Sequence, residues 1–276
     1  IINNPKNEKH EEDLTYSLDI ANQTEFSLIN INGNIAITGE NGIDSIIVNV
    51  KKTVYASSIE IAAQHMVDIE INFLNTEDHI QISTEFPDSN ELNYQVDFDI
   101  IIPDHFLTEA SCINGNMDVS QLLANTQIQT VNGNILLENT VGDAEINTIN
   151  GNITGSNIEG TVNTSTINGN VTIEEFIGSL ICDTENGSIN VLMDMGTDDD
   201  CQISAINGNV TLGIPLDTSA EVTMEVVAGS ISRCDDFNFS ETESSHNFFS
   251  GILNNGDSEI SVSIVNGTIQ LNDNAD

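Results

Sequence analysis

Basic residues are nearly absent from this sequence. Its 276 residues include 44 acidic side chains and only 5 lysines and arginines, so the formal net charge is −39. The five are Lys6, Lys9, Lys51, Lys52 and Arg233. A surface with this charge repels phosphate backbones and anionic lipids. The composition therefore argues against nucleic-acid binding and against docking on anionic membranes.

Long apolar runs are also lacking, and no stretch approaches the length that spans a bilayer. No signal peptide is visible, and the chain begins with Ile-Ile. We expect a mature or truncated form of an exported protein, periplasmic or at the cell surface, whose export signal is not in this chain. Hydrophobic residues make up only 38% of the chain. Low hydrophobicity with high charge is typical of disorder, but here the apolar residues are regularly spaced, which favours a folded protein.

The dominant feature is a recurring Asn-Gly dipeptide. From Gly115 to Gly187 the glycines are 18 residues apart, and the next interval, to Gly208, is 21. Such a period indicates stacked structural repeats. The repeat residues are Asn114, Gly115, Asn132, Gly133, Asn150, Gly151, Asn168, Gly169, Asn186, Gly187, Asn207 and Gly208, with further copies at Asn32-Gly33 and Asn266-Gly267.

The residues around each glycine distinguish a coil from a hairpin. Apolar residues stand two and four positions after almost every glycine, and two positions before it with one exception, Glu185. In a two-residue hairpin the flanking residues would share a face, which would pair Ile149 with Asn152. The pattern instead places the residues two before and two after glycine on one inward face of a continuous strand.

Stacked coils explain the asparagines. Asn at equivalent positions of successive coils can hydrogen-bond along the stack as a ladder, and glycine allows the backbone to turn. We predict an all-β fold, a single-stranded β-solenoid of 18–21-residue coils at 111–276, with an irregular C-terminal end. Residues 1–13 are predicted to be a flexible tether. Residues 14–110 are predicted to be a β-rich region packed on the solenoid, with one short helix at about 57–66.

Several segments carry a resemblance to known proteins. They are ININGNIAITG near the N-terminus, KKTVYASS before the helix, a strand ending in IIIP, and coils of the type TVNGNI. In this order they resemble the bacterial putative-adhesin families DUF4097 and the related head GIN domain. The resemblance implies a right-handed β-helix that is exported or at the cell surface. It supplies no functional residues.

Two candidate sites lie where the repeat is irregular. Asp198, Asp199 and Asp200 form a loop that could hold Ca²⁺ or could be a solvated acidic loop. Cys182 and Cys201 are close to one coil apart and could form a disulfide, or they could be two buried thiols. The four cysteines show no CxxC spacing, so no zinc or redox motif is expected, and no cofactor is predicted.

An enzymatic site would need paired carboxylates or a cation that stabilises a developing charge. Arg233 is the one cation among the coils, and Phe176 beside Glu174 and Glu175 is interpreted as a packing residue. The acidic residues weighed for this role occupy different columns of the repeat: Asp118, Glu138, Asp143, Glu145, Glu174 and Glu175.

The sequence therefore predicts a non-enzymatic, exported binding or scaffolding module. Its flat polar face, with rows of Asn and Thr, would contact a surface glycan or a protein. The first alternative is a polysaccharide-active β-helix hydrolase. The second is an ice-binding solenoid, based on the Thr column three residues before glycine: Thr130, Thr148, Thr166 and Thr184.

Overall fold

The computed structural model describes residues 8–87 and 92–274. This part of the chain is almost entirely β-structure, with one α-helix, α1 (Ile59–Gln64), and a 3-10 turn at Met66–Asp68. The strands are β1 (Glu8–Asp19), β2 (Glu25–Asn32), β3 (Ile35–Glu40), β4 (Ser45–Ala56), β5 (Glu70–Asn75), β6 (His79–Glu85), β7 (Asn93–Pro103), β8 (Leu107–Asn114), β9 (Met117–Ser120), β10 (Thr126–Asn132), β11 (Ile135–Val141), β12 (Ala144–Asn150), β13 (Ile153–Asn168), β14 (Val171–Asn186), β15 (Ile189–Asp194), β16 (Asp200–Asn207), β17 (Val210–Ile214), β18 (Ala220–Arg233), β19 (Phe239–Ser244), β20 (Phe248–Leu253) and β21 (Ser258–Asp273).

Parallel pairing between successive coils builds two sheets. Sheet A contains the strands that precede each Asn-Gly corner, and sheet B contains the strands that follow it. In the middle of sheet A, β8, β10 and β12 pair in parallel, and in sheet B β9, β11 and the first half of β13 do so. The strands on either side of an Asn-Gly corner do not pair with each other in these ladders. The hairpin interpretation is therefore excluded, and the prediction of an almost all-β, solenoid-like fold is confirmed.

The register follows the repeat of the sequence. Ile128 lies opposite Ile146, and Ile146 lies opposite Thr164, so residues 18 positions apart are neighbours. The inward side chains of both sheets join one apolar core. After β14 the longer coil places Asn186 opposite Asn207, and its extra residues lie in the loop between β15 and β16, since Ile177 pairs with Asp194 whereas Leu180 pairs with Cys201.

Both ends of the stack depart from sequence order. Strands β2 and β3 form a coil that lies between β6 and β7 on one side and β8 and β9 on the other. At the opposite end, β21 lies between the β16–β17 coil and β18. Antiparallel strands complete the ends: β5 on β6, β4 and β1 beyond β7, and β20 and β19 beyond β18.

The N-terminal boundaries differ from the predicted ones. Residues 8–13 of the predicted tether are part of strand β1, because they pair with β4 along its whole length, whereas residues 1–7 lie outside the described residues. The predicted division at residue 110 is wrong, since the coil at residues 25–40 belongs to the stack. The predicted helix at 57–66 is shorter, with Ser58 as its N-cap accepting a hydrogen bond from the Ile61 amide.

Two further findings concern the end of the stack and the helices. Phe237, Phe239 and Phe249 pack together near the C-terminal end, with ring centroids 5.9 Å and 4.8 Å apart. This arrangement covers the end of the apolar core beneath the β19–β20 hairpin.

Among the described residues, neither helical segment has the length and hydrophobicity needed to cross a bilayer.

Candidate binding face

The Asn-Gly corner is where each strand of sheet A continues into sheet B. Successive corner glycines lie so close that a Cβ on one would overlap the carbonyl oxygen of the glycine in the preceding coil. Each coil is also tied to the next by a backbone hydrogen bond; for example, the Gly133 amide donates to the Asn150 carbonyl at 3.1 Å. Only glycine allows this approach, so the corner column fixes the spacing of the coils.

The asparagines before these glycines form a continuous ladder. The side-chain amide nitrogen of each donates to the side-chain oxygen of the asparagine in the preceding coil, at distances between 2.6 and 3.2 Å. The predicted ladder is present in the structure. Its members, in stack order, are Asn32, Asn114, Asn132, Asn150, Asn168, Asn186, Asn207 and Asn266.

A second row follows the glycines. The backbone amide of Asn134 donates to the Asn116 side-chain oxygen at 2.9 Å, and the same bond recurs from coil to coil. The side-chain oxygens of both rows and the side-chain nitrogens of the first row are therefore used within the stack. This use leaves the Asn rows less free to bind a ligand than the sequence suggested.

The Thr column is buried. Thr130, Thr148, Thr166 and Thr184 are each less than 5% exposed. Their hydroxyls donate to corner glycine carbonyls, as Thr148 does to Gly133 at 3.1 Å. The Thr side chains therefore point into the protein. The outward Thr row on which the ice-binding alternative depends is not present.

The apolar residues two before each glycine point outward instead. Ile113, Ile149, Ile167 and Ile206 are 39–47% exposed, whereas the residues two after the glycines are all buried, from Ile35 to Ile269. The prediction that both sets face inward is wrong, because the inward phase of the strand shifts by one residue at the corner. We call the outward set the aliphatic row: Ile31, Ile113, Val131, Ile149 and Ile167, continued beyond Glu185 by Ile206, Val265 and Val227.

The aliphatic row lines a shallow groove of about 420 Å³ on the outer face of sheet A. Beside it runs a row of neutral polar residues: Ser111, Gln129, Asn147 and Ser165. With adjacent coils about 4.8 Å apart, the uncharged section crosses the five coils from Ile31 to Ile167 and extends about 19 Å. An uncharged section of this length stands out on a chain whose net charge is −39.

Acidic residues border this section. Glu109, Asp143 and Glu145 line an adjacent depression at the other margin of sheet A. In the coil beyond Ile167, Glu185 replaces the aliphatic residue and Asp183 replaces the neutral one. We call the uncharged section with these acidic borders the binding face. Sequence reasoning missed it, although Glu185 was a signal, because a buried column of this kind would not accept a glutamate.

The proposed disulfide is not formed. The register places Cys182 opposite Ile203 and Cys201 opposite Leu180, so the two cysteines are offset along neighbouring strands. Both are free and buried. Burial raises the pKa of the Cys201 thiol to about 12 and also raises that of Cys182. The inserted residues of the longer coil shift the pairing, and two buried thiols result.

The acidic loop after β15 uses its carboxylates locally. Asp199 accepts hydrogen bonds from the Gly196 amide at 2.7 Å and the Ser179 hydroxyl at 3.2 Å, and Asp200 accepts one from the Glu259 amide at 3.1 Å. Asp198 has a left-handed backbone conformation with a φ of 68°. In residues 8–87 and 92–274, no three His, Cys, Asp or Glu side chains are grouped as metal ligands.

The acidic residues weighed for catalysis are dispersed. Asp118 and Glu138 belong to sheet B, whereas Glu145 belongs to sheet A and Asp143 directly precedes strand β12 of that sheet. Glu174 and Glu175 line a depression of about 490 Å³ with Asp194. Phe176 is 1% exposed and therefore packs in the core, as predicted.

Arg233 lies far from these carboxylates in the fold. It is near the C-terminal end of the stack, with its guanidinium carbon 4.6 Å from the centroid of the Phe249 ring. The structure therefore does not bring the single cation of the coils to the carboxylates.

Comparison with known proteins identifies the family. Residues 6–272 match the family model described as Toastrack DUF4097. The chain belongs to this family. The resemblance to DUF4097 seen in the sequence is therefore confirmed, and the Toastrack fold agrees with the solenoid-like stack. No curated protein matches the chain.

Several solved structures are similar to this Toastrack chain at low identity. A putative adhesin from Parabacteroides distasonis is 12% identical over 94% of this chain and 97% of its own, with a TM-score of 0.47. A putative adhesin from Bacteroides fragilis is 10% identical with the same coverage and a TM-score of 0.45. A putative lipid binding protein from P. distasonis is 12% identical over 94% of this chain and 96% of its own, with a TM-score of 0.31.

Proposed function

We propose that this chain is a non-enzymatic, exported bacterial module that binds a protein partner through the binding face of sheet A. The observation that carries the proposal is the uncharged aliphatic section on an otherwise strongly acidic surface. Contiguous exposed apolar surface bordered by polar residues is typical of an interaction site.

The side chains of the face favour a protein over a glycan. Its exposed residues are Ile, Val, Ser, Gln and Asn, without an aromatic ring on which a sugar could stack. Aliphatic side chains are best covered by apolar groups of another protein. Acidic residues border the face: Glu109, Asp143, Glu145 and Glu185. The partner therefore carries basic residues around an aliphatic centre, because complementary charges speed association and fix the orientation of the two proteins.

The alternatives have less support. A carboxylate-based hydrolase needs two carboxyl groups facing each other across a bound sugar, and the acidic residues considered are spread over both sheets and one corner. An ice-binding surface needs outward threonines, and the threonines of the repeat are buried. We also propose that the coil is right-handed, because connections between parallel strands of one sheet are almost always so.

Attachment of beads tests the partner class. Beads coated with the purified chain are added to cells of the bacterium that encodes it, with the double variant Ile113→Glu/Ile149→Glu, on either side of the central Val131, beside the unchanged protein. We expect the double variant to lower attachment by at least about tenfold, because central contacts dominate interface energies. The matched control is Ile177→Glu, since Ile177 is 49% exposed but lies outside the face.

Treatment of the cells separates the alternatives. Protease treatment should abolish attachment and periodate oxidation of glycans should not. Loss of attachment after periodate alone would identify a glycan, and equal loss with Ile177→Glu would show that the face is not the contact. Release of sugars from any polysaccharide by the purified chain would contradict the non-enzymatic assignment.

A further inference from the structure

The chain contains ten Asn-Gly dipeptides, and this dipeptide has an intrinsic chemical reactivity. Because glycine has no Cβ, its backbone nitrogen can attack the side-chain amide carbon of the preceding asparagine. A new C–N bond closes a five-membered succinimide, and ammonia leaves with the proton of the peptide nitrogen. Water then opens the ring to aspartate or isoaspartate. Asn is converted to a carboxylate, with water as the only co-reactant.

Eight of the ten dipeptides lie in the corner column, where the structure restrains both reacting groups. Seven of the glycine amides, from Gly33 to Gly208, donate to an asparagine carbonyl of the adjacent coil at 2.9–3.1 Å. The eighth, Gly267, lies within β21 in register with Gly229. The asparagine side chains are held by the ladder. Attack at these corners therefore requires local opening of the stack.

Asn41-Gly42 lies outside the column, in the exposed turn between β3 and β4. Gly42 has a φ of 76°, and no atom lies within 4 Å of the position where its Cβ would be. Within the described residues, its amide has no hydrogen-bond acceptor. The side chain of Asn41 makes one contact, a hydrogen bond from Nδ2 to Oδ2 of Asp104 at 3.1 Å.

Asn255-Gly256 is an internal control with nearly the same geometry. Gly256 is also in a turn with a positive φ, 72°, but it is half-buried, and a Cβ on it would meet the Ile252 side chain at 3.1 Å. Its amide, however, donates to the Leu253 carbonyl at 3.1 Å, and the Asn255 amide donates to the Ser219 hydroxyl at 3.1 Å. The two turns have similar glycine φ angles, and they differ in the packing around the glycine and in whether its amide nitrogen is already hydrogen-bonded.

We propose that Asn41 is a spontaneous modification site, at which the free amide of Gly42 converts the asparagine to aspartate or isoaspartate while the stack protects the other Asn-Gly dipeptides. The product changes a specific contact. Asp104 would lose a hydrogen-bond donor and gain a carboxylate as its neighbour, although its own side chain is only 9% exposed. Two like charges at this distance destabilise the turn.

Timed incubation of the folded chain at mildly alkaline pH tests the proposal, with peptide mapping by mass spectrometry. We expect Asn41 to convert at least roughly tenfold faster than any corner asparagine, because the corners must first break a hydrogen bond, and also faster than Asn255. In concentrated urea, Asn41 and Asn150 should convert at similar rates. A folded-state rate at Asn41 no higher than at Asn255 or Asn150 would overturn the proposal.

A variant checks the assignment independently. Asn41→Gln keeps a side-chain amide but lengthens the chain, so that closure onto Gly42 would form a less favourable six-membered ring. We expect the acidic charge variants that accumulate in aged wild-type protein to be strongly reduced in this variant. Accumulation of the same charge variants at the wild-type rate in Asn41→Gln would show that another site is responsible.

Discussion

The spacing at each corner is set by one atom, the carbonyl oxygen of the glycine in the preceding coil. A Cβ at Gly151 would overlap the carbonyl oxygen of Gly133, which is backbone and cannot rotate away. The same contact with a glycine carbonyl recurs at the corners from Gly115 to Gly208 and again at Gly229 and Gly267. A side chain at any of these positions must therefore push two coils apart.

This contact predicts a large cost for Gly151→Ala. We expect the substitution to lower the free energy of unfolding by about 3 kcal/mol or more, because overpacking against fixed backbone is not relieved by rotamer changes. Urea unfolding followed by circular dichroism measures the difference. The matched control is Gly196→Ala, since a Cβ there would meet only the end of the Asp199 side chain, at 3.0 Å. Equal losses in the two variants would contradict the role of the corner carbonyl.

At the scale of the strand, the ladder links coils through side chains as well as backbone. Asn168 donates to Asn150 at 2.9 Å and accepts from Asn186 at 3.2 Å. Both bonds are at the protein surface, so water can replace them when they are lost. We therefore expect one rung to make a moderate contribution to the free energy of unfolding, and the whole ladder to make a larger one.

Asn168→Ala tests one rung. We expect the free energy of unfolding to fall by about 1–2 kcal/mol, since two neutral hydrogen bonds are removed. Asn163→Ala is the control on the same strand, because Asn163 is exposed and its side chain has no hydrogen bond within the described residues. Differential scanning calorimetry compares the two. A cost for Asn163→Ala as large as for Asn168→Ala would assign the effect to strand propensity.

The strands also show which features the sequence could predict. The period of Asn and Gly gave the coil, its register and the ladder, because identical residues at identical positions must stack. The direction of the aliphatic row was not predictable from hydrophobicity, since Ile149 and Ile153 look alike in the pattern. Inward and outward side chains alternate along each strand, and the corner adds one residue to this alternation. Thr148 and Ile153 both point inward for this reason, although they are five residues apart. The return of β21 into the stack was also missed, because nothing local in residues 258–273 specifies the neighbours.

At the scale of the whole molecule, self-repulsion opposes compaction. With 44 acidic and 5 basic side chains, few of the carboxylates can have a cationic partner. Within the described residues, the ion pair between a lysine or arginine side chain and a carboxylate is that of Lys9 with Glu11. Both side chains are exposed to solvent. Mobile cations of the solvent must therefore screen most of this charge.

This charge predicts a marked effect of salt on stability. At pH 7, raising NaCl from 0.01 M to 0.5 M should raise the midpoint of thermal unfolding by roughly 5 °C, because screening weakens repulsion that is stronger in the folded state. Near pH 4.1, the isoelectric point of the sequence, the same salt change should have little effect. A similar increase at both pH values would assign the effect to general salt action and not to the acidic coat.

The placement of β21 has a consequence for biosynthesis. Residues 258–273 are synthesised after residues 200–233, yet they lie between coils formed by residues 200–214 and 220–233. The stack can grow during translation up to β17, but the strand between β17 and β18 can be added only after β18, β19 and β20 have been synthesised. Once paired, β21 has a neighbouring strand on each side, so pulling residues 258–273 out of the protein must break two parallel ladders.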